Sequence, residues 1–515
     1  MRSSKDELAI TIIRTLHGEQ PALVVTSLVS TPSQALKQLM TNTNLSFAQL
    51  RNALLVLMTH DYVTYTEEFS STSSMTEVLA EHPNEAPSKT FYSVNIDRII
   101  FRLRLSKVQF LAKKFAGHDA ISIVDILMSE GRIQRQTIVE KVLSASGQGN
   151  QFSIEDKTRI EASILAGFEK LVQNSIINRH YFGGKLIRPG IETGENVKTQ
   201  KKPRRKPPAG STPNIKMPRH QSDDDVITSL SQSLLTDTSS ISDDTNCFYS
   251  LNFNTIMKLL RHEQFLDAVK NLYGESLLKI FSAAINVSRA SELNCKKMRI
   301  GPFVLDSVAV ELADQGSLAQ FSIEKLREIF DRLAVDPSKI VFHEGNLGGG
   351  SYSLNIGGVV NSLRKSVIQN FLTLRFSSKA AGRAYALLLD QQGENQIDEK
   401  VLTDMCVTSP LDMRKVIHEM VSSSFLTASM VPKSQADRNP LKASYFFSID
   451  NDSIVSNYLE IAYESALKLW HRLHFTINQI AANQTDSSAY DFLTRIQNAI
   501  TNLDETICIV DLYCS

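Results

Sequence analysis

The sequence predicts a mainly α fold with small β wings (α+β): four tandem winged-helix domains followed by a C-terminal antiparallel coiled-coil hairpin. Three observations predict it. A motif of aromatic, Ser, aliphatic and Asn/Asp occurs four times, as Phe91-Tyr92-Ser93-Val94-Asn95, Phe248-Tyr249-Ser250-Leu251-Asn252, Ser351-Tyr352-Ser353-Leu354-Asn355 and Phe446-Phe447-Ser448-Ile449-Asp450. Helical stripes and then a strand-like segment precede each copy, which is the order of a winged helix. After Asp450 the strand signals stop and apolar residues recur at spacings of 3 and 4.

The aromatic positions 92, 249, 352 and 447 stand 157, 103 and 95 residues apart, and the first spacing falls to 97 without the 60-residue linker described below. Units of similar size therefore tile the chain. Within each motif, alternating aromatic and aliphatic residues suit a half-buried strand. The closing Asn or Asp can cap the helix that follows, and helical segments do follow over Ile96–Phe115, Phe253–Tyr273, Ile356–Phe376 and Ser453–Ile480. The predicted domains are 1–95, 96–252, 253–355 and 356–450, with the hairpin over 451–515.

In the first unit, Leu8, Ile12 and Leu16 form one helical stripe, Val24 and Leu28 a second, and Leu36 and Leu39 a third. Phe47, Leu50, Leu54 and Leu57 give a strong amphipathic helix, and Tyr62–Tyr65 starts the outgoing strand. The second unit repeats this with Ile121–Met128, Ile133–Ser144 and the stripe Ile160, Ile164, Phe168, Leu171, then Ile176–Arg179. In the third, Ile323, Leu326 and Phe330 lead to Ile340-Val341-Phe342 and a Gly348–Gly350 turn; in the fourth, Met413, Ile417, Met420 and Val421 lead to Phe425-Leu426-Thr427. Val455, Leu459, Ala462, Ala466, Leu469, Leu473, Ile477 and Ile480, then Tyr490, Leu493, Gln497, Ile500, Leu503, Ile507 and Val510, predict the two helices of the hairpin.

Leu186–Thr245 is different. It has no Phe, Trp or Tyr and six of the fifteen prolines, so it cannot bury enough apolar surface to offset its chain entropy. It reads as a disordered linker inserted in the second wing. Its basic block, Lys198 with Lys201, Lys202, Arg204, Arg205 and Lys206, suits a nuclear import receptor or a phosphate backbone. Over the whole chain 55 basic residues balance 55 acidic ones, which excludes a globally basic nucleic-acid binder. Five scattered cysteines without a C-x-x-C pair are a poor disulfide framework and predict reduced thiols in an intracellular protein. The first residues lack a signal peptide's apolar run, and no stretch approaches the ~18 apolar residues of a membrane span.

No enzyme constellation emerges. The Gly348–Gly350 run lacks the Lys of a phosphate-binding loop. Neither H-E-x-x-H nor G-x-S-x-G occurs. His471 and His474 have no further ligand at suitable spacing, and Asp223–Asp225 sit in the linker. No catalytic residue, metal or cofactor is expected. Candidate phosphate contacts are Arg98, Arg102, Arg104 and Lys107 in one segment, Lys157 and Arg159 on the second unit's last helix, and Lys325 and Arg327 on the third's. Acidic neighbours oppose the last two sets, so any DNA contact is expected to be weak and salt-sensitive. Leu469, Trp470, Leu473 and Phe475 are candidate docking residues, with the alternative that Trp470 seals the hairpin against the fourth domain.

Four winged helices, a linker in the second wing and a terminal hairpin, with Glu19–Val29, Gln34-Ala35-Leu36 and His60-Asp61-Tyr62-Val63 in the first unit, resemble the third-largest subunit of eukaryotic RNA polymerase III. That family is also similar to the large subunit of transcription factor IIE. The resemblance implies a nuclear, non-catalytic subunit in a heterotrimer with another winged-helix subunit and a small acidic-tailed one. It further implies a seat on the largest subunit's clamp, recruitment through transcription factor IIIB, and help in opening promoter DNA for tRNA and 5S rRNA synthesis. The alternative is a free-standing winged-helix transcription regulator, which needs a helix with several unopposed basic or amide side chains reaching base edges.

Overall fold

The computed structural model describes residues 3–68, 89–146, 154–181, 247–292, 298–314, 322–346, 350–390, 397–431, 444–482 and 487–512. The linker 186–245, its basic block and the Gly348-Gly349 pair lie outside them.

The same order of elements occurs four times. The first unit runs α1 Ser4–His17, α2 Glu19–Ser30, β1 Gln34–Ala35, α3 Leu36–Thr43, α4 Phe47–Thr59, β2 Val63–Glu68 and β3 Lys89–Val94. The second runs α5 Ile96–Ile100, a 3-10 turn Phe101–Arg104, α6 Leu105–Ala116, α7 Ala120–Glu130, β4 Ile133–Gln134, α8 Arg135–Ser146, α9 Ile154–Gln173, β5 Ile177–Tyr181 and β6 Cys247–Leu251. The third runs α10 Phe253–Tyr273, α11 Glu275–Ser288, β7 Ile300–Val304, α12 Leu305–Asp314, α13 Ile323–Val335, β8 Val341–Gly345 and β9 Ser351–Leu354. The fourth runs α14 Ile356–Arg375, α15 Lys379–Asp390, β10 Ile397–Asp398, α16 Glu399–Met405, α17 Pro410–Ser422, β11 Thr427–Val431 and β12 Ser444–Ser448. The hairpin is α18 Asn451–Ala482 and α19 Ser487–Ile507, ending in a π turn Cys508–Leu512. Each unit is thus a lead helix followed by a winged helix.

Among the described residues each of the four sheets has three strands, and the strand carrying the repeated motif is central in all of them. The motif aromatics occupy one register position: Tyr92 faces Gln34, Tyr249 faces Ile133, Tyr352 faces Phe303 and Phe447 faces Ile397. Tyr249, Tyr352 and Phe447 are buried, and Tyr92, opposite Gln34, is half-buried. The closing residue caps as expected. Asn95, Asn252 and Asn355 accept from the backbone N–H groups of Arg98, Thr255 and Gly358, and Asp450 accepts from that of Asp452.

Two further repeats were readable but less obvious. Asp61, Ser175, Lys339 and Ser424, each just before the outgoing strand, all adopt left-handed backbone at φ 49–60°. The next amide then reaches back over that turn, as in Tyr62 N–H to Leu57, Ile176 N–H to Leu171 and Phe425 N–H to Met420. Between lead helix and winged helix stand Gly18, Gly117 and Gly274, with φ 80–95° and ψ near 180°. That region is essentially closed to residues with a Cβ; in the fourth unit Ser377 turns the chain instead, at φ 48°.

The units are not beads on an elongated scaffold. Most of the second and third units shares one core with Ile356, Val359 and Val360 of α14 and Cys508 and Ile509, and most of the first and fourth shares another with the hairpin and with Ile99, Ile100 and Leu103. The ends of the chain meet: Ser4 N–H and Oγ donate to Glu460 Oε1 at 2.9 and 2.6 Å, and Lys5 pairs with Asp97 and Asp511, each at 2.9 Å. The stretch read as one helix over Ile96–Phe115 breaks at the 3-10 turn, which lets Phe101 and Leu103 enter different cores.

A Cβ at Gly274 would meet no atom within 4 Å, so only the backbone opposes a side chain there. Gly274→Ala is expected to lower unfolding free energy by about 1–3 kcal/mol, read as a lower denaturant midpoint by circular dichroism. An unchanged midpoint would refute the assignment of this joint.

Candidate docking and nucleic-acid interfaces

A winged helix has two outward surfaces, its last helix and its wing. On α4 the inward stripe Leu50, Ala53, Leu54 and Leu57 is buried, while Phe47, Leu55 and Val56 are exposed. That face is apolar and carries one cation, Arg51. On α13 the outward face is charged, but Arg332 pairs with Glu328 at 2.5 Å and Arg327 with Asp331 at 3.9 Å. Lys325 is exposed between them. Arg159 is exposed on α9, and the side chain of Lys157 lies outside the described residues. On the fourth unit, Val401, Met405, Val407 and Leu411 are exposed around the α16–α17 turn. Met430 and Tyr445, paired across the wing, are exposed too.

The basic segment around α5 and α6 is largely spent inside the molecule. Arg104 is 1% exposed: its Nε donates to Asp504 Oδ1 of α19 at 3.2 Å and its Nη1 to the Met257 sulfur of α10 at 3.3 Å. Lys107 Nζ reaches the same carboxylate at 3.4 Å, and Cys508 Sγ at 3.6 Å. Lys114 pairs with Glu263 at 2.6 Å. Arg104 is therefore no surface phosphate contact: a buried carboxylate 400 residues away in sequence already holds it. Burial pushes the Cys508 thiol up to about 12, with Asp504 adding to the shift, so the thiol stays a neutral donor.

Arg98 and Arg102 face the junction of the first two units. Arg102 Nη1 donates to the Met128 carbonyl, and Arg98 lies over the Phe253 ring at 4.8 Å. Across the crevice the Arg132 side chain forms an ion pair with Asp61, and the Arg132 backbone N–H donates to the Thr59 carbonyl at 3.1 Å. The backbones approach so closely that a Cβ on Gly131 would stand 2.5 Å from the Thr59 oxygen. His17, His60 and Tyr62 cluster beside Arg102, with His60 and Tyr62 stacked nearly parallel at 5.2 Å and His17 tilted against both. Burial, reinforced by His17 and by the Arg102 guanidinium, pushes the His60 imidazolium down to about 3.

The hairpin candidates divide. Trp470 is buried, and its Nε1 donates to Thr15 Oγ1 of α1 at 3.1 Å. It seals the hairpin against the first unit, not the fourth domain. Leu473 is buried, Leu469 half-buried, and Phe475 64% exposed. Toward the hairpin tip Ile477, Tyr490 and Phe492 are exposed with it. Sequence reasoning missed Asp504 and Asp61, because a partner hundreds of residues or one domain away leaves no local signal. It also missed Tyr490 and Phe492, whose helical spacing matches that of core positions.

A family model described as the RNA polymerase III subunit RPC82 helix-turn-helix domain matches residues 7–68. One described as the POLR3C C-terminal winged-helix domain matches residues 368–449. The chain is 22% identical over 496 residues to DNA-directed RNA polymerase III subunit RPC3 of Bos taurus, covering 92% of this chain and 85% of the relative. It is 22% identical over 495 residues to that of Homo sapiens, with the same coverage. The subunit rpc3 of Dictyostelium discoideum is 28% identical over 180 residues, 34% of this chain and 26% of its own. The resemblance to the third-largest subunit of RNA polymerase III therefore extends along most of the chain. None of these matches bears on transcription factor IIE.

Two outcomes are expected. Arg104→Leu leaves the buried Asp504 carboxylate with Lys107 as its remaining cation among the described residues and is expected to cost up to about 3–5 kcal/mol, part of it recovered in Arg104→Leu/Asp504→Leu; equal melting of the single and double variants would refute the pairing. His60 takes a proton near 6.5 when unfolded but only near 3 when folded. Protons therefore favour the unfolded state across that window. Stability is expected to fall from pH 7 to 5, by up to about 1.4 kcal/mol per pH unit from this group, and His60→Gln is expected to flatten the slope.

Proposed function

We propose that the chain is a non-catalytic subunit of RNA polymerase III. The observation that carries this reading is alignment along nearly the whole chain with proteins named as that polymerase's subunit RPC3. The surfaces support a docking role. Exposed apolar residues on α4, around α16–α17, on the fourth wing and at the hairpin tip are of the kind a protein interface buries at its centre. By the same reading the chain joins a winged-helix subunit and a small acidic-tailed subunit in a heterotrimer on the largest subunit's clamp. There it takes part in recruitment through transcription factor IIIB and in opening promoter DNA. It works in the nucleus, with Lys201, Lys202, Arg204, Arg205 and Lys206 as an import segment. Direct DNA contact is a minor part: of the candidate cations, Arg159, Lys325 and Arg327 are exposed on winged-helix surfaces, and acidic neighbours accompany the last two.

The alternative, a sequence-specific regulator, is disfavoured by α13, where carboxylates interleave the cations, and by α4, where apolar side chains take their place. Tagged full-length chain purified from nuclear extract is expected to bring down polymerase III subunits. A lone dimer bound to palindromic DNA would instead support the regulator. Substitution at Leu473 would disturb the core, so docking is better tested at the exposed tip. Phe475→Asp/Phe492→Asp is expected to lose polymerase subunits while keeping the parent circular dichroism spectrum. Retention of every subunit would remove the tip from the interface.

A further inference from the structure

The junction between the first and second units encloses a small crevice lined by His60, Asp61, Arg98, Arg102, Gly131 and Ser250, among others. Its formal charge does not balance. Among the described residues, Arg98 and Arg102 line it and Arg132 stands immediately behind, against one carboxylate, Asp61, which Arg132 already holds. Arg98 donates a side-chain hydrogen bond to no acceptor among the described residues; its guanidinium rests on the Phe253 ring and feels Asp61 at longer range. The Nε of Arg132 is buried with no hydrogen-bond partner among the described residues. The surrounding imidazoles of His17, His60 and His180 are held toward their neutral forms, so they neither add charge nor neutralise it. Guanidinium groups withdrawn from water without an acceptor are costly, and the planar fork of Arg matches a tetrahedral oxyanion.

Size limits the ligand. The cavity volume is about 40 Å³, on the order of three waters' worth when one water needs roughly 10–15 Å³. That suits a single polyatomic ion and excludes a nucleobase.

We infer that this crevice binds one phosphate-type oxyanion, gripped by Arg98 and Arg102 with Arg132 behind them, and that the ion ties the first winged helix to the second. The ion's oxygens would accept from the free guanidinium N–H groups, with the Ser250 hydroxyl, now bonded to His180 Nε2 at 2.8 Å, at the rim. The inference goes beyond the polymerase reading and does not rest on it, since it concerns the chain alone.

The test is calorimetric titration of the full chain with inorganic phosphate, ionic strength being held constant with sodium chloride. Saturable one-site binding is expected. Arg98→Gln is expected to weaken it at least tenfold and Arg98→Lys by less, because Lys keeps the charge but not the fork. Arg98→Gln leaves no hydrogen-bond partner stranded, and an unchanged thermal melt will show that it folds. Arg51→Gln, which removes an exposed cation on α4, is expected to bind as the parent does. A heat indistinguishable from that of chloride would overturn the inference. So would equal weakening by Arg51→Gln and Arg98→Gln, which would show general charge attraction only. Titration of a short single-stranded oligonucleotide separates the sources of the group. Competition with inorganic phosphate supports the crevice taking a phosphate of a nucleic-acid strand, and its absence alongside retained phosphate binding supports a free ion.

Discussion

The molecule is organised around a buried ion pair. Arg104 on the turn that opens the second unit and Asp504 on the last helix are each 1% exposed, and Met257 of the third unit's lead helix completes the contact. The two hydrophobic cores adjoin here, one formed mainly by the second and third units, the other mainly by the first, fourth and hairpin. A buried pair of this kind adds little net stability over a well-packed apolar pair, but breaking one side is expensive. Its physical effect is therefore selective: arrangements of the units that separate these two residues are penalised.

The repeat explains how the units can be joined so closely. Each motif is the central strand of its sheet, and its closing Asn or Asp begins the next lead helix, so no spare linker lies between units. Each lead helix then turns at a residue with positive φ, and each last helix leaves through another. With both joints fixed by backbone geometry, relative placement follows from helix length and from side chains such as Arg104, Trp470 and Lys5 that cross between units.

What was legible in the sequence is what is local or periodic. The motif, its caps, the stripes of α4, α9, α13 and α17, and the two hairpin helices appear where spacing puts them. The glycines at 18, 117 and 274 were equally legible but went unread, because single glycines are common and only the shared backbone geometry marks them as one feature. Tertiary pairing was not legible. A run of basic residues from Arg98 to Lys114 looks the same whether it faces solvent or Asp504, Glu263 and a carbonyl. Trp470 likewise faces α1 because the chain closes on itself, and closure is a property of the whole fold that no window of sequence contains. The apolar residues at the hairpin tip look like core until their neighbours are known.

Closure has a consequence for how the chain is made. The face of α1 that packs on α18 and receives Trp470 leaves the ribosome about 450 residues before its partner. At roughly 5–20 residues per second, that surface waits about 20 to 90 seconds for α18 to be made. The first winged helix can form early, yet its last contacts come only when synthesis is nearly finished. During that interval the nascent polypeptide carries a greasy flank of the sort that chaperones shield.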